Sequence, residues 1–268
     1  MGRKNKLKLE KVINKYFEYF MTKVKILYAQ RKFEYDGIRV KYLLKRKKNS
    51  DTLVIVFSSC TRKGIKARYN YVRTLNKVNC SRVHILDDYA EDGRGSYYLG
   101  DNFTFREEKA TNALIDKLLH DLAPKKAIFC GSSKGGYAAL NFGLQQKGAY
   151  IITGAPQYYL ASYLRGEDGS NCTYTHIIGQ ETPEKFAALE NHLHDRICEK
   201  KYNATQKIYI HYSKSEHTYK EHICHLLDEL NKNGYRVFED VADYCNHSDI
   251  SYFFPDYLLK TIQHILDE

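Results

Sequence analysis

The chain has 268 residues, of which 43% are hydrophobic, and 42 Lys and Arg against 32 Asp and Glu give a formal net charge of +10. This length can bury a full core, and the hydrophobic share is ordinary for a globular protein, which argues against a disordered chain. No apolar run is long enough to span a bilayer, and we expect no secretory signal. Seven scattered Cys without a CxxC pair predict reduced thiols in the cytoplasm and no structural zinc site.

The first 30 residues combine positive charge with regularly spaced apolar residues. The basic residues are Arg3, Lys4, Lys6, Lys8, Lys11, Lys15, Lys23 and Lys25. The apolar residues, three or four positions apart, are Leu9, Val12, Ile13, Tyr16, Phe17, Phe20, Val24 and Leu27. This pattern predicts a basic amphipathic helix over residues 1–30, ahead of one domain over 31–268. Three roles remain open for the helix: packing on the domain, lying on an anionic membrane surface, or docking a partner. No nucleic-acid module is recognisable, so nucleic acid is not an expected partner.

Beyond residue 30, strand and helix patterns alternate. In chain order they predict a hairpin over residues 33–44, a strand over 52–57, a helix over 67–76, a strand over 82–86, a helix over 105–122, a strand ending at Cys130, a helix after Ser133, strands over 150–153 and 207–212, a helix over 219–231, a strand over 235–241 and a helix over 250–266. Residues 157–203 have an irregular pattern and are interpreted as a small cap or lid. The alternation indicates an α/β fold, a mostly parallel sheet with helices on both faces.

The strongest functional motif lies within residues 125–140. An apolar run ends in Gly131-x-Ser133-x-Gly135, and small residues with helical spacing follow at once. This order of strand, tight turn and helix is typical of a nucleophile elbow, in which small residues permit the turn that lifts the serine hydroxyl into a cleft. A glycine-rich turn with an incidental serine is the alternative, but the flanking strand and helix favour Ser133 as a nucleophile.

A serine nucleophile needs a base, and the base needs an orienting carboxylate. In α/β-hydrolases the acid follows the serine, on a loop after a late strand, and the histidine comes last. The loop over residues 213–217 nominates Glu216 as the acid, with a carboxylate at a helix N-terminus as its alternative. Asp240 and Asp243 are less suitable because they lie within the preceding strand or too near the histidine.

The base is expected in the loop between the last strand and the final helix. His247 is the only histidine of that loop, over residues 243–249. His217 is its rival, but the neighbouring Glu216 cannot readily turn to serve both His217 and Ser133. The sequence therefore predicts Ser133, His247 and Glu216 as a catalytic triad.

The oxyanion hole is expected to use two backbone N–H groups. One belongs to Lys134, directly after the nucleophile, and the other to Ser59 or Cys60, in the loop after an early strand. The Lys134 side chain is interpreted as solvated at the start of a helix, in preference to a charge held near an anionic substrate.

Five segments carry a resemblance to a known family. They are Tyr69-Asn70-Tyr71-Val72-Arg73, Asp87-Asp88-Tyr89, Gly95-Ser96-Tyr97-Tyr98-Leu99-Gly100, Gly131-Ser132-Ser133-Lys134-Gly135-Gly136-Tyr137 and Gly154-Ala155-Pro156-Gln157-Tyr158. Over residues 50–260 the chain resembles a bacterial α/β-hydrolase-like family tied to capsular and other surface polysaccharides, with some relatives that are O-acetyltransferases using acetyl-CoA. The resemblance implies an α/β-hydrolase fold, a cytoplasmic protein at the capsule assembly site, and a triad at Ser133, Glu216 and His247.

The resulting hypothesis is a serine acyltransferase of capsular polysaccharide biosynthesis. It would transfer an acetyl group from acetyl-CoA, a co-substrate rather than a tightly bound cofactor, to a polysaccharide or oligosaccharide acceptor. A positive surface would attract both the CoA phosphates and an anionic polymer. Two alternatives remain open, a carboxylesterase or deacetylase of the same fold and a non-catalytic polysaccharide assembly subunit. The hypothesis includes contact of the basic N-terminal segment with the inner face of the cell membrane or with a capsule complex.

Overall fold

The structure of the protein is a computed structural model that describes residue 24 and residues 28–166 and 171–268. Of the basic amphipathic helix predicted over residues 1–30, most lies outside the described residues. None of the helices in the described ranges combines the length and the apolar character needed to cross a lipid bilayer.

Eight strands in the described part of the chain form one sheet, in the order β1-β2-β4-β3-β5-β6-β7-β8. The strands are β1 (Gln30–Tyr35), β2 (Ile38–Lys45), β3 (Thr52–Phe57), β4 (Ser81–Leu86), β5 (Lys126–Ser132), β6 (Tyr150–Gly154), β7 (Lys207–Ser213) and β8 (Arg236–Ala242). Strands β3 to β8 run parallel to one another, whereas β1 and β2 form an antiparallel hairpin whose second strand lies antiparallel to β4. The mostly parallel sheet predicted from the alternating pattern is therefore confirmed.

Both faces of the sheet are covered, as the continuous apolar run of β3 indicates. Leu53, Ile55 and Phe57 point into one core cluster, and Val54 and Val56 point into the other. The first cluster lies under α1 (Arg106–Leu122) and α2 (Lys134–Gly143), and the second lies under the last helix, α8 (Ile250–Asp267). The sheet is therefore the middle layer of a three-layer structure.

Two of the predicted elements are wrong. The helix predicted over residues 67–76 is a loop that ends in a single 3₁₀ turn, Thr74–Lys77. Tyr71 lies in the left-handed region at φ 58°, which interrupts a helix.

Residues 157–203 are largely helical rather than irregular. They contain α3 (Leu160–Arg165), α4 (Cys172–Ile178), α5 (Pro183–Glu190) and α6 (His192–Cys198). Each is too short to show a clear helical period, and Gly166 and Gly179, both at positive φ, end the first two. The interpretation of this region as a cap stays a prediction. Further along, a π-helical turn over Tyr219–Ile223 leads into α7 (Cys224–Lys232).

The close approach of α2 to the sheet depends on Gly135. A Cβ atom at this position would lie 2.6 Å from the backbone oxygen of Phe57, at the end of β3. Backbone of a central buried strand has little freedom to move away, so only a glycine fits here.

We expect Gly135→Ala to lower the free energy of unfolding by about 1–3 kcal/mol, because overpacking outweighs the gain of about 1 kcal/mol in helix propensity. Gly148→Ala is the matched control, since a Cβ there meets nothing within 4 Å and only the positive φ of 68° is strained. Denaturant unfolding measures both variants. An equal or smaller loss for Gly135→Ala would contradict the steric explanation.

Candidate active site

Ser133 occupies the turn between β5 and α2. Its backbone has φ 52° and ψ −123°, a region that non-glycine residues rarely adopt. The turn is held because Ser133 N–H donates to the Gly154 carbonyl of β6 at 2.8 Å. This strained strand-turn-helix geometry is that of a nucleophile elbow, as the pattern around Ser133 predicts.

The structure brings the three predicted triad residues together. His247 Nε2 lies 2.8 Å from Ser133 Oγ, and His247 Nδ1 lies 2.5 Å from Glu216 Oε1. A carboxylate accepts only, so Nδ1 carries the proton that Glu216 accepts, and Nε2 is left to accept the Ser133 proton. The arrangement is chemically able to deprotonate the hydroxyl as it attacks a carbonyl carbon.

The loops that carry Glu216 and His247 are tied to each other. Ser213 Oγ, at the end of β7, donates to the Tyr244 carbonyl at 2.6 Å and accepts from Tyr244 N–H at 3.2 Å. Glu216 is buried at 2% exposure, and Thr218 Oγ1 donates to its Oε1 at 2.7 Å. Sequence reasoning missed both Ser213, whose partner Tyr244 is 31 positions away, and Thr218, whose contact with Glu216 is local.

The residues weighed against Glu216 and His247 lie elsewhere. The His217 ring centroid is 6.3 Å from that of His247, beside the triad rather than between its members. Asp240 accepts from His211 Nδ1 at 2.6 Å on the neighbouring strand. Asp240 is thus paired with His211.

The two predicted sources of the second oxyanion donor are distinguished by their hydrogen bonds. Ser59 N–H already donates to Asn70 Oδ1 at 2.9 Å, so of the two alternatives it is the less available donor. The N–H of Cys60 donates to no described residue. Lys134 N–H lies at the first position of α2, where helix N–H groups have no intrahelical acceptor. Cys60 and Lys134 are therefore the two candidate donors.

The side chain of Lys134 is not solvated, which corrects the sequence interpretation. It is fully buried, and its Nζ donates to Asp87 Oδ2 at 2.9 Å and to the Arg94 carbonyl at 2.8 Å. Asp87 Oδ1 and Oδ2 also accept from the backbone N–H groups of Ser96 and Tyr98. The hydrogen bonds of the ammonium group are thus made inside the protein, and the group cannot contact an anionic substrate.

We expect Asp87→Asn to lower the free energy of unfolding by about 3–5 kcal/mol, because it leaves the Lys134 charge buried without its counterion. Lys134→Met combined with Asp87→Asn should cost less than the sum of the single changes, since the unpaired charge is gone. Urea unfolding of the two single variants and the double variant measures the coupling. Strictly additive losses would show that the pair is not the stabilising contact.

Gln157 is a site residue that sequence reasoning missed. It is fully buried three residues past the end of β6, where Nε2 lies 3.4 Å from Ser133 Oγ and Oε1 accepts from Tyr97 O–H at 3.2 Å. The position of Gln157 in the sequence could have indicated this role. A polar residue just past the carboxyl end of the strand beside the elbow lies at the edge of the sheet where α/β proteins have their sites.

The loop that holds Ser59 rests on a buried histidine. His84 Nδ1 lies 3.0 Å from the carbonyl oxygen of Asn70, whose side chain accepts from Ser59 N–H. Burial lowers the pKa of His84 to about 4, from 6.5. Between these values the unfolded chain is protonated at His84 and the folded chain is not, so the unfolded state binds more protons and stability falls as the pH falls.

We therefore expect the free energy of unfolding to decrease between pH 6.5 and pH 4, with His84 contributing up to about 1.4 kcal/mol per pH unit. His84→Asn should flatten this dependence, whereas His120→Asn, at a side chain that is 90% exposed, should not. Denaturant unfolding at a series of pH values measures the slopes. Equal slopes in the His84→Asn variant and the wild type would contradict the assignment.

Comparison with known proteins supports this architecture. No protein-family model and no curated protein matches the chain. The capsule O-acetyltransferase of Neisseria meningitidis serogroup A is 24% identical, with a TM-score of 0.70 over 86% of this chain and 92% of its own. A mutant of that enzyme in complex with CoA is 23% identical, with a TM-score of 0.70 over 87% and 94%.

Two further solved structures are similar. An alpha-beta serine hydrolase homologue from Coxiella burnetii is 14% identical, with a TM-score of 0.54 over 87% of this chain and 96% of its own. The Glycosylation Associate Protein (Gap123) complex of Streptococcus agalactiae is 18% identical, with a TM-score of 0.72 over 90% of this chain and 47% of that one. These likenesses, all below 25% identity, show that the chain shares the fold of these proteins.

Proposed function

We propose that the protein is a serine acyltransferase of surface (capsular) polysaccharide biosynthesis, which moves an acetyl group from acetyl-CoA to a sugar hydroxyl. The observation that carries the proposal is the hydrogen-bonded series Ser133–His247–Glu216, with bonds of 2.8 and 2.5 Å, beside the N–H groups of Lys134 and Cys60. An unselected serine, histidine and glutamate from three separate loops have no reason to converge in this order.

The first half of the proposed reaction forms an acyl-enzyme. His247 Nε2 takes the Ser133 proton while Oγ attacks the thioester carbonyl, and Glu216 stabilises the imidazolium. The N–H groups of Lys134 and Cys60 donate to the developing oxyanion. The tetrahedral intermediate then collapses with cleavage of the C–S bond, and the CoA sulfur leaves with the proton that His247 had taken.

In the second half a sugar hydroxyl attacks the acetyl-serine. His247 takes the hydroxyl proton and returns it to Ser133 Oγ as the ester bond to the enzyme breaks. Water in place of the sugar gives hydrolysis, so the same residues support the esterase or deacetylase alternative. Exclusion of water and positioning of the acceptor decide between the two outcomes.

The choice of donor and acceptor draws support from charge and from similarity. The net charge of +10 attracts the CoA phosphates and an anionic polymer. The similar meningococcal protein is a capsule O-acetyltransferase, and a mutant of it was solved with CoA. We further propose a cytoplasmic location, with the basic N-terminal residues contacting the membrane or a capsule complex. A protein of a glycosylation-associated complex is also similar, and the alternative of a non-catalytic assembly subunit stays open.

Brief exposure to acetyl-CoA, followed by acid quench and intact-mass spectrometry, tests the acyl-enzyme. The wild type should gain the mass of one acetyl group, and Ser133→Ala should gain none. Ser132→Ala is the matched control: its neighbouring hydroxyl contacts Tyr71 and Ser59 rather than His247, so the adduct should persist. Turnover should fall by at least about 10³-fold in Ser133→Ala and in His247→Ala.

The same assay separates the alternatives. Release of acetate at one rate with and without polysaccharide would replace transfer by hydrolysis. An adduct on Ser133→Ala would move the nucleophile elsewhere. A wild type that forms no adduct and hydrolyses no aryl ester would favour the assembly subunit.

A further inference from the structure

A second cluster of reactive side chains lies away from the triad, between α6 and α7. His194 and Cys198 are four residues apart on α6 and so share one helix face, and Glu229 faces them from α7. One donor atom from each of the three lies within 4.8 Å of the others. Imidazole nitrogen, thiolate sulfur and carboxylate oxygen are together a common ligand set for zinc.

Two of the three distances between these residues match those around a tetrahedral ion, and the third pair approaches through the other ring nitrogen, with His194 Nδ1 3.8 Å from Glu229 Oε2. Cys198 Sγ lies 3.5 Å from His194 Nε2 and 3.6 Å from Glu229 Oε1. Metal bonds of about 2.3 Å to sulfur and about 2.0–2.1 Å to nitrogen or oxygen, at tetrahedral angles, place such atoms roughly 3.5 Å apart. These two edges of the tetrahedron are therefore already formed by the side chains alone.

Neighbouring residues orient two of the three donors. Tyr158 O–H lies 3.1 Å from His194 Nδ1, the nitrogen that does not face Cys198. Asn233 Nδ2 donates to Glu229 Oε1 at 2.7 Å and to the Glu229 carbonyl at 2.8 Å. Hydrogen bonds of this kind, to the second ring nitrogen and to the carboxylate, commonly support metal ligands.

The cluster is also accessible. The Glu229 side chain is 15% exposed, the His194 side chain is 37% exposed, and Cys198 lies at the surface. An ion can therefore enter from solvent, and a water molecule can fill the fourth position. The sulfur and nitrogen donors favour zinc over magnesium or calcium, which take oxygen ligands.

Contrary to the sequence expectation of no structural zinc site, we propose that His194, Cys198 and Glu229 bind one zinc ion, with water as the fourth ligand, and that the ion connects α6 to α7. Zinc binds the thiolate form of Cys198, so the thiol proton passes to solvent as the S–Zn bond forms. The bonds join α6 to α7, and because zinc binds the site formed in the folded chain, it stabilises the folded state by mass action. The proposal does not rest on acyl transfer at Ser133.

The test uses the full chain, stripped with a chelator and desalted. Titration with Co²⁺ should give thiolate-to-cobalt charge-transfer bands and tetrahedral visible bands at one equivalent, and Zn²⁺ should abolish them. Zn²⁺ should also raise the midpoint of thermal unfolding. Cys198→Ser and His194→Asn should each weaken Zn²⁺ binding by at least about 100-fold, the scale of losses at the residues that merely support metal ligands.

Cys224→Ser is the matched control, because Cys224 begins α7 and its thiol donates to the Lys220 carbonyl. It should bind both metals like the wild type. Circular dichroism of the metal-free variants checks that each is folded, and Glu229→Gln supplies a third ligand variant should one of them fail. Charge-transfer bands that persist in Cys198→Ser, or that are missing from the wild type, would overturn the proposal.

Discussion

The buried ion pair between Lys134 and Asp87 is the contact on which the candidate site depends. Its nitrogen belongs to the residue after Ser133, and its carboxylate lies just past the end of β4. Asp87 also holds the N–H of Tyr98, whose hydroxyl accepts from Ser58 N–H at the end of β3. A charge buried this deeply is tolerated only when it is paired and hydrogen-bonded. The pair therefore holds the turn at Ser133 and the loop after β4 in one relative geometry. The two candidate oxyanion donors lie on the segments held in this way.

Parallel strands supply the second constraint. The carboxyl ends of β5, β7 and β8 meet at one edge of the sheet, so the residues that follow them are brought together although they are far apart in the chain. Ser133, Glu216 and His247 follow these three strands in turn. The hydrogen bonds between Ser213 and Tyr244 then set the separation of the last two loops. Precise positioning of a base against a nucleophile thus arises from sheet topology and one serine hydroxyl.

The proposed zinc site and the candidate active site are joined by two consecutive residues. Tyr158 contacts His194 of the zinc cluster, and Gln157 contacts Ser133 Oγ. An ion that fixes α6 against α7 would therefore also restrain the segment that leads from β6 past the nucleophile. Tyr97 O–H donates to Gln157 Oε1, so the loop after β4 contacts the same segment.

The sequence by itself determined the α/β fold class and the strand-turn-helix around Ser133, and it predicted the order in which Ser133, Glu216 and His247 follow their strands. These rest on local patterns, such as the continuous apolar run of β3 and the small residues around Ser133. They also rest on the rule that the loops after parallel strands lie at the same edge of the sheet. Tertiary structure alone decided the remaining features. These are the burial of Lys134, the hydrogen bond that Ser59 N–H donates to Asn70, the contact of Gln157 with Ser133, and the contact of Cys198 with Glu229. Each of these depends on a partner from a distant part of the chain. A side chain's neighbours in sequence do not specify which distant group will satisfy its charge or hydrogen bond once water is excluded.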